Sequence, residues 1–355
     1  MKVLFISGDY DDDGGKASGY MRKLAEYIKK LHAHSFSSFY AYIEGGRFDY
    51  LLNSILPSVT DADIVYWFSH SPANKPHLVE FVKKINPKAI LVMLGKNDKT
   101  IYTQLARMLT VKANLMVEIC PLLIPFACSI LDPLGNCFLK VETDISKVAE
   151  ALVQRSNELL YKVRQPSVSI GPKFGAPDMP EFFEIARTHA KKFHDLIHVD
   201  KQDRYLGHLS FRCEHGFPSF KQNGLIFVSK RNVDKRNINA NSFVALNAHC
   251  AEVVEYYGDE APSVDSPISI RLYSYYEKIK YMMHSHMYIK DAPTTKNVNP
   301  CGAVDEVSDI LHVLDLQEAN AVINLKGHGS LVMASDLEYL KNAEYVQRVL
   351  PEMVG

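Results

Sequence analysis

The first half of the chain alternates short apolar runs with amphipathic stretches. Apolar runs predict strands at residues 2–7, 39–43, 63–68, 88–94 and 115–119, and a helical spacing of apolar residues predicts helices at 20–31, 76–85, 100–109 and 145–163. The first run is short, continuously apolar and followed by glycine, which is typical of a buried parallel strand. Regular alternation of strand and helix predicts a three-layer, Rossmann-like α/β domain with a parallel sheet.

The carboxyl ends of these predicted strands carry a first candidate ligand site, because open parallel sheets bind ligands at that edge. The residues there are Gly14, Gly15, His70 and Lys96. A glycine-rich loop leading into a helix could hold a phosphate through backbone N–H groups. However, the spacing of its glycines fits neither nucleotide fingerprint, and four aspartates in the loop oppose an anion. A mobile surface loop is the alternative. This opening of the chain is similar to the acceptor-side domain of GT-B glycosyltransferases.

A change in composition separates the two halves. Residues 164–180 are rich in proline, with serine and glycine between the prolines, which predicts a linker or an extended crossover. We therefore expect a first domain at residues 1–164, a linker at 165–180 and a second domain at 181–355.

The second half mixes hairpin signals with short helices. It predicts a helix at 181–195, strands near 206–212 and 225–229 joined by an Asn223-Gly224 turn, a helix at 268–278, a strand before His284, a helix at 305–314 and a strand at 321–325. Pro267 fits the first turn of its helix.

Composition narrows the function classes. The 355 residues are 47% hydrophobic and 23% charged, which is enough for two domains with cores of their own. A net charge of −1 provides no global basic field, so neither nucleic acid nor membrane is an expected partner. The six cysteines form no CxxC pair, which fits a reducing compartment. The chain begins with a strand pattern, and its most apolar stretch, residues 119–131, is too short to span a bilayer. A cytoplasmic location is expected.

Three histidines carry the candidate chemistry. His284 and His286 are two residues apart, so both imidazoles would lie on one face of a strand, and His328 follows another predicted strand between two glycines. Three histidines from two neighbouring strands could hold a divalent transition metal and leave one position open, as in a catalytic zinc site. With fourteen histidines in the chain, a chance pair is the alternative.

Five segments between residues 180 and 345 resemble, in order, the class II aldolase/adducin family. They are Gly207-His208-Leu209-Ser210, the loop at 228–235, Pro262-Ser263-Val264-Asp265-Ser266-Pro267, His284-Ser285-His286, and the strand and glycine turn at 324–332. The resemblance implies an α/β/α domain with a mainly antiparallel sheet.

The resemblance also implies roles for residues. His284, His286 and His328 would bind Zn²⁺ or another divalent transition metal, which stabilises an enediolate. Asp265 stands where the family usually has a glutamate that moves protons. Substrate and phosphate would be bound by Gly207, His208, Ser210, Ser229, Lys230, Arg231, Asn232 and Ser263.

Five of these positions depart from the family pattern. Asp265 is one methylene shorter than glutamate, and His208 replaces an asparagine that helps to fix substrate. Asn232 replaces a glycine, and asparagine tolerates the left-handed backbone such a turn requires. Lys230 and Arg231 replace a proline and a hydroxyl residue, which favours an anionic substrate. We therefore expect an intact metal set in an altered substrate pocket.

The resulting hypothesis is a metal-dependent lyase or epimerase acting on a small phosphorylated sugar or related hydroxycarbonyl compound. By resemblance it forms a homo-oligomer, usually a tetramer in this family. Two alternatives remain open: a non-catalytic, adducin-like interaction module, and a chain whose first domain binds a nucleotide or nucleotide-sugar.

Overall fold

A computed structural model describes residues 1–33, 38–72, 74–95, 99–120, 126–162, 166–196, 205–213, 225–248, 253–315 and 319–354. The chain forms two compact units. Met1–Tyr161 and Leu350–Gly355 make up the first, and most of Lys162–Val349 makes up the second.

The first unit is a nine-stranded sheet flanked by helices. Its elements in chain order are β1 (Lys2–Asp11), α1 (Gly19–Ala33), β2 (Ser38–Tyr42), β3 (Gly46–Arg47), α2 (Phe48–Tyr50), β4 (Ile64–His70), α3 (Val79–Ile85), β5 (Ile90–Leu94), α4 (Ile101–Val111), β6 (Leu115–Cys120), β7 (Ala127–Leu131), β8 (Asn136–Glu142) and α5 (Ile145–Lys162). A C-terminal strand, Glu352–Met353, adds to β8.

The strand order confirms the Rossmann-like prediction for the first half. It runs C-terminal strand, β8, β7, β6, β5, β4, β1, β2, with β3 paired to the end of β1. The strands from β2 to β6 are parallel, and β7 is antiparallel to both its neighbours. One face packs against α1 and α5 and the other against α2, α3 and α4, so that the central strands β1, β4 and β5 are buried on both faces. This explains why their sequences read as continuous apolar runs.

The second unit is built on an eight-stranded, mainly antiparallel sheet. Its elements are β9 (Ser167–Gly171), α6 (Pro180–Leu196), β10 (His208–Cys213), β11 (Leu225–Ser229), β12 (Phe243–Leu246), β13 (Val254–Tyr257), α7 (Ser266–Tyr275), β14 (Tyr281–Ser285), β15 (Tyr288–Ile289), α8 (Asp305–Leu311), β16 (Ala321–Leu325), β17 (Gly329–Ala334), α9 (Leu337–Leu340) and β18 (Tyr345–Val346).

The order β16-β17-β14-β10-β11-β12-β13-β9 places β14 near the centre of this sheet. Apolar side chains of α7 and α8 cover one face, and those of α6 and α9 cover the other. The α/β/α arrangement with a mainly antiparallel sheet is as predicted. Only β9, at the edge, is parallel to its neighbour β13.

Two features differ from the sequence-based expectations. The stretch predicted as a linker contains β9, whose backbone pairs with β13 and thus belongs to the sheet. Its side chains are mostly exposed, and its polar/apolar alternation covers only residues 167–170, between Pro166 and Gly171, so that the stretch resembles a linker. In addition, residues 352–353, which the sequence assigns to the second domain, form a strand that joins the first sheet. The predicted Asn223-Gly224 turn lies outside the described residues.

None of the helices in the described ranges combines the length and the apolar character needed to cross a bilayer.

Candidate metal centre

The three predicted ligand histidines lie together in the second unit. His284 is on β14, and His286 follows the end of that strand. His328 lies in the tight turn between β16 and β17. The ring centroids of His284 and His328 are 4.6 Å apart, and His286 is 5.0 Å from His284 and 5.3 Å from His328.

The three histidines were expected on two neighbouring strands, but β14 and β16 are not neighbours in the sheet. β17 lies between β14 and β16, and it pairs with both. A strand end and a hairpin turn therefore supply the three imidazoles. Since Ser285 pairs with Ser330 across β14 and β17, the turn carrying His328 is held beside His286.

Gly329 permits this close approach. Its φ is +148°, and a Cβ added there would lie 2.0 Å from the carbonyl oxygen of Ser285 and 2.7 Å from the Cα of His286. Both contacts are to backbone, which cannot move aside without displacing β14.

Gly329→Ala is therefore expected to destabilise the second unit by roughly 4 kcal/mol or more, in the range reserved for severe strain. Chemical denaturation monitored by circular dichroism measures this. Gly175→Ala is the matched control, because its added Cβ would meet nothing within 4 Å. Equal stability of the two variants would contradict the close approach.

Hydrogen bonds orient two of the imidazoles. His284 Nδ1 lies 2.9 Å from the carbonyl oxygen of Ser330 and donates to it. His328 Nδ1 lies 3.0 Å from each carboxylate oxygen of Glu306. The remaining atoms, Nε2 of His284 and His328 and Nδ1 of His286, are buried and have no hydrogen-bond partner in the described parts of the chain.

These unpartnered nitrogens fit a metal ion. One ligand atom from each of the three histidines lies within 4.8 Å of the others. Buried polar atoms are normally hydrogen-bonded, so three unpartnered nitrogens in one place need an explanation. Imidazoles that donate their second nitrogen to a carbonyl or carboxylate are the usual form of metal-bound histidine.

The pKa values of the histidines reflect their burial. Burial holds the pKa of His284 and His286 well below the ordinary value, and the neighbouring His328 adds to this effect. Both rings are therefore neutral, with a lone pair available. Burial also opposes the charged form of His328, but Cys301 and Glu306 outweigh it and raise the pKa of His328. An ion bound there would displace that proton.

Glu306 was not identified from the sequence. It is 1% exposed in the first turn of α8, next to the exposed Asp305, and burial raises its pKa despite His328 nearby. Acidic residues are common in the first turn of a helix because they interact favourably with the helix dipole, so the sequence does not distinguish Glu306 from Asp305. Only the fold shows that one of them points inward to His328.

Glu306→Gln is expected to weaken binding of a divalent ion about 10- to 100-fold, because the glutamine cannot accept from His328 as strongly as a carboxylate. Titration with Zn²⁺ against a competing chelator measures the change. Glu338→Gln, at an exposed position of α9, is the control. An unchanged affinity would remove Glu306 from the site.

Asp265 and His208 lie beside the three histidines. Asp265 is 4% exposed at the start of α7, yet its side chain does not cap the helix, and its Oδ1 has no partner among the described residues. His208 Nδ1 is 3.5 Å from Asp265 Oδ2, and His208 Nε2 is 3.0 Å from Ser269 Oγ. Burial opposes ionisation of Asp265, but contact with His208 and the charge of His328 hold its pKa below the usual range. Asp265 is therefore a carboxylate.

The predicted substrate loop lies at the end of β11. Asn232 has a φ of +61°, the left-handed conformation expected from the sequence, and its Oδ1 accepts from the backbone of Tyr205 at 2.8 Å. Lys230 forms an ion pair with Glu260, which neutralises its charge. Arg231 is exposed. Of the two cations, Arg231 is thus the better placed for an anion.

Other predicted residues have structural partners. Ser210 Oγ is 3.1 Å from the hydroxyl of Tyr273, and Ser229 Oγ accepts from the backbone of Leu209 at 3.2 Å. Gly207 has a φ of +77°, and a Cβ there would lie 2.4 Å from the carbonyl oxygen of His284. Ser263 Oγ accepts from the backbone of Asp265 at 3.4 Å. These residues position the site.

Lys235 is a second buried charge that sequence reasoning did not identify. It is 4% exposed, and its Nζ donates to the carbonyl oxygen of Tyr205 at 2.9 Å. Burial lowers the pKa of Lys235 to about 8, against the opposing influence of Asp234 and Asp265.

The residues predicted for the first unit are only partly brought together. His70 lines a cavity at the end of β4, whereas Gly14 and Gly15 do not line it. A Cβ on Gly15 would lie 1.6 Å from the carbonyl oxygen of Asp9, so this glycine serves the folding of the loop against β1. Lys96 lies outside the described residues.

Comparison with known proteins agrees with this geometry. Residues 190–303 match the family model of the Class II Aldolase and Adducin N-terminal domain, so the resemblance is confirmed over that range. No curated protein matches the chain.

Several solved structures are similar. An L-fuculose 1-phosphate aldolase is 16% identical, with 46% of this chain and 81% of that chain covered at a TM-score of 0.31. A sugar-phosphate aldolase from Thermotoga maritima is 12% identical over 44% of this chain and 88% of that chain, with a TM-score of 0.33. A DNA/pantothenate metabolism flavoprotein from Streptococcus pneumoniae is 12% identical over 44% of this chain and 97% of that chain, also with a TM-score of 0.33.

Proposed function

We propose that this protein is a metal-dependent lyase or epimerase that acts on a small phosphorylated sugar or a related hydroxycarbonyl compound. The observation that carries the proposal is the group of three buried imidazole nitrogens beside a carboxylate oxygen of Asp265, all four without a hydrogen-bond partner among the described residues. The match of residues 190–303 to the aldolase/adducin family supports the same reaction class.

His284, His286 and His328 would hold the ion, which we propose to be Zn²⁺ or another divalent transition metal. Three imidazoles suit such metals better than Ca²⁺ or Mg²⁺, which prefer oxygen ligands. When bound, the ion supplies Lewis-acid polarisation of a substrate carbonyl, which acidifies the neighbouring C–H.

Asp265 would move the proton. It is ionised and buried, its side chain does not cap α7, and its Oδ1 has no hydrogen-bond partner among the described residues. This oxygen can therefore accept a proton from a substrate carbon next to the carbonyl. His208 contacts the other oxygen and orients the carboxylate. The space enclosed between these side chains is about 10 Å³, room for one water molecule.

A phosphorylated substrate would therefore keep its charged end outside this enclosed space. Arg231, exposed at the end of β11, is the side chain we assign to the phosphate, because its planar guanidinium can bind two phosphate oxygens. The left-handed turn at Asn232 shapes the loop around it. We also propose a homo-oligomer, as the family resemblance implies, and a domain boundary just before β9.

Two measurements on the purified full-length protein test the proposal. Metal analysis is expected to find about one divalent ion per chain. Incubation with dihydroxyacetone phosphate in D₂O is expected to replace hydrogen by deuterium next to the carbonyl, and a chelator is expected to stop this exchange. If the purified protein contains no divalent ion and catalyses no deuterium exchange, the enzyme proposal is refuted and the adducin-like interaction module is favoured.

A further inference from the structure

The first unit contains a cavity of about 550 Å³ that the proposed reaction does not use. It lies at the carboxyl ends of β1, β4, β5 and β6, the edge where open parallel sheets bind ligands. Its volume is within the range of small-molecule sites.

One end of this cavity is polar. Ser7 on β1 lines it, is 0% exposed, and its hydroxyl has no hydrogen-bond partner among the described residues. Lys16 and Ser18 also line it, immediately before α1. The N-terminus of this fifteen-residue helix thus opens into the cavity, where its backbone N–H groups favour an anion.

The loop aspartates oppose an anion less than the sequence suggested. Asp11, Asp12 and Asp13 do not line the cavity, and Asp12 forms an ion pair with Lys75 at 2.9 Å. Asp9 does line it, at the end of β1. The positive charge of Lys16 offsets the negative charge of Asp9. The helix N-terminus and the Ser7 hydroxyl therefore determine whether the cavity favours an anion.

The rest of the cavity lining is largely apolar and aromatic. Phe68, Leu94 and Ile119 come from three successive parallel strands, and Phe126 also lines the cavity. Phe126 is 39% exposed, and its ring meets that of Tyr20 edge to face at 5.6 Å. An exposed phenylalanine beside an apolar cavity offers a surface on which a flat ring can stack.

We infer that this cavity is a nucleotide-binding site, with the phosphate at Lys16 and the start of α1 and the base against Phe68 and Phe126. The buried Ser7 hydroxyl, which has no hydrogen-bond partner among the described residues, can donate to a phosphate oxygen of the nucleotide. The cavity is lined by residues of the first unit, whereas the metal centre is built from residues of the second. Nucleotide binding can therefore be tested independently of the proposed reaction.

Calorimetric titration of the full-length protein with AMP and with UMP tests the inference. Saturable binding of at least one nucleotide is expected, with adenosine or uridine and inorganic phosphate each binding at least about tenfold more weakly than the nucleotide. Failure of both nucleotides to bind, or equal binding of nucleoside and nucleotide, would overturn it.

Three variants locate the binding. Lys16→Ala and Phe126→Ala are each expected to weaken nucleotide binding about tenfold, and the controls are Lys23→Ala and Phe81→Ala, exposed residues that do not line the cavity. Ser7→Ala is expected to weaken binding while melting temperature stays equal or rises, because the hydroxyl has no hydrogen-bond partner in the part of the chain that the structure describes. Binding that persists unchanged in all three variants would place the nucleotide elsewhere and refute the site.

Discussion

His284→Ala is expected to release the bound divalent ion and to reduce metal-dependent exchange to the background of the chelated protein. Two imidazoles remain in the variant, and a two-ligand site loses most of its affinity for a divalent transition metal. Metal analysis after gel filtration and deuterium exchange into dihydroxyacetone phosphate measure the two effects.

The control for this substitution is His312→Ala, an exposed histidine at the end of α8. It is expected to keep both the ion and the exchange. The folded state of His284→Ala is checked by its far-UV circular dichroism, since removal of a buried ring also leaves a cavity. A folded variant that retains one ion per chain would remove His284 from the ligand set.

Asp265→Asn is expected to slow deuterium exchange about 10²- to 10⁴-fold while the ion remains bound, because an amide cannot accept the substrate proton. The combination of retained metal and lost exchange distinguishes a proton-moving residue from a ligand. Measurements at saturating substrate assign the loss to the chemical step.

Asp265→Glu and Asp259→Asn complete this experiment. Glutamate restores the carboxylate one methylene further out, so partial activity is expected, whereas Asp259 is exposed and its substitution should have no effect. Full activity of Asp265→Asn would show that another group moves the proton.

The fold was largely predictable because burial leaves a periodic signal. Residues 3–6 of β1 are fully buried, and the sequence shows them as one apolar run. β9 was missed because its alternation of polar and apolar residues is only four residues long and lies between proline and glycine. Its side chains are mostly exposed, and the strand joins its sheet through backbone pairing with β13.

The site was predictable at the level of its histidines and less so around them. His284, His286 and His328 were identified by residue type and spacing. Glu306 was missed because its contact with His328 depends on how α8 packs against β16. The sequence also predicted that both Lys230 and Arg231 are available to an anionic substrate. The fold brings Glu260, thirty residues away, into an ion pair with Lys230 and thereby leaves Arg231 as the better candidate.

The strand at Glu352–Met353 has a consequence for the biosynthesis of this protein. It adds to β8 through Asn136 and Cys137, so residues more than two hundred positions apart share the edge of one sheet. A ribosome must synthesise the whole second unit before that edge is covered. Until then the nascent first unit exposes an unpaired strand that can pair with other chains. A fragment that ends near residue 161 would keep this open edge permanently.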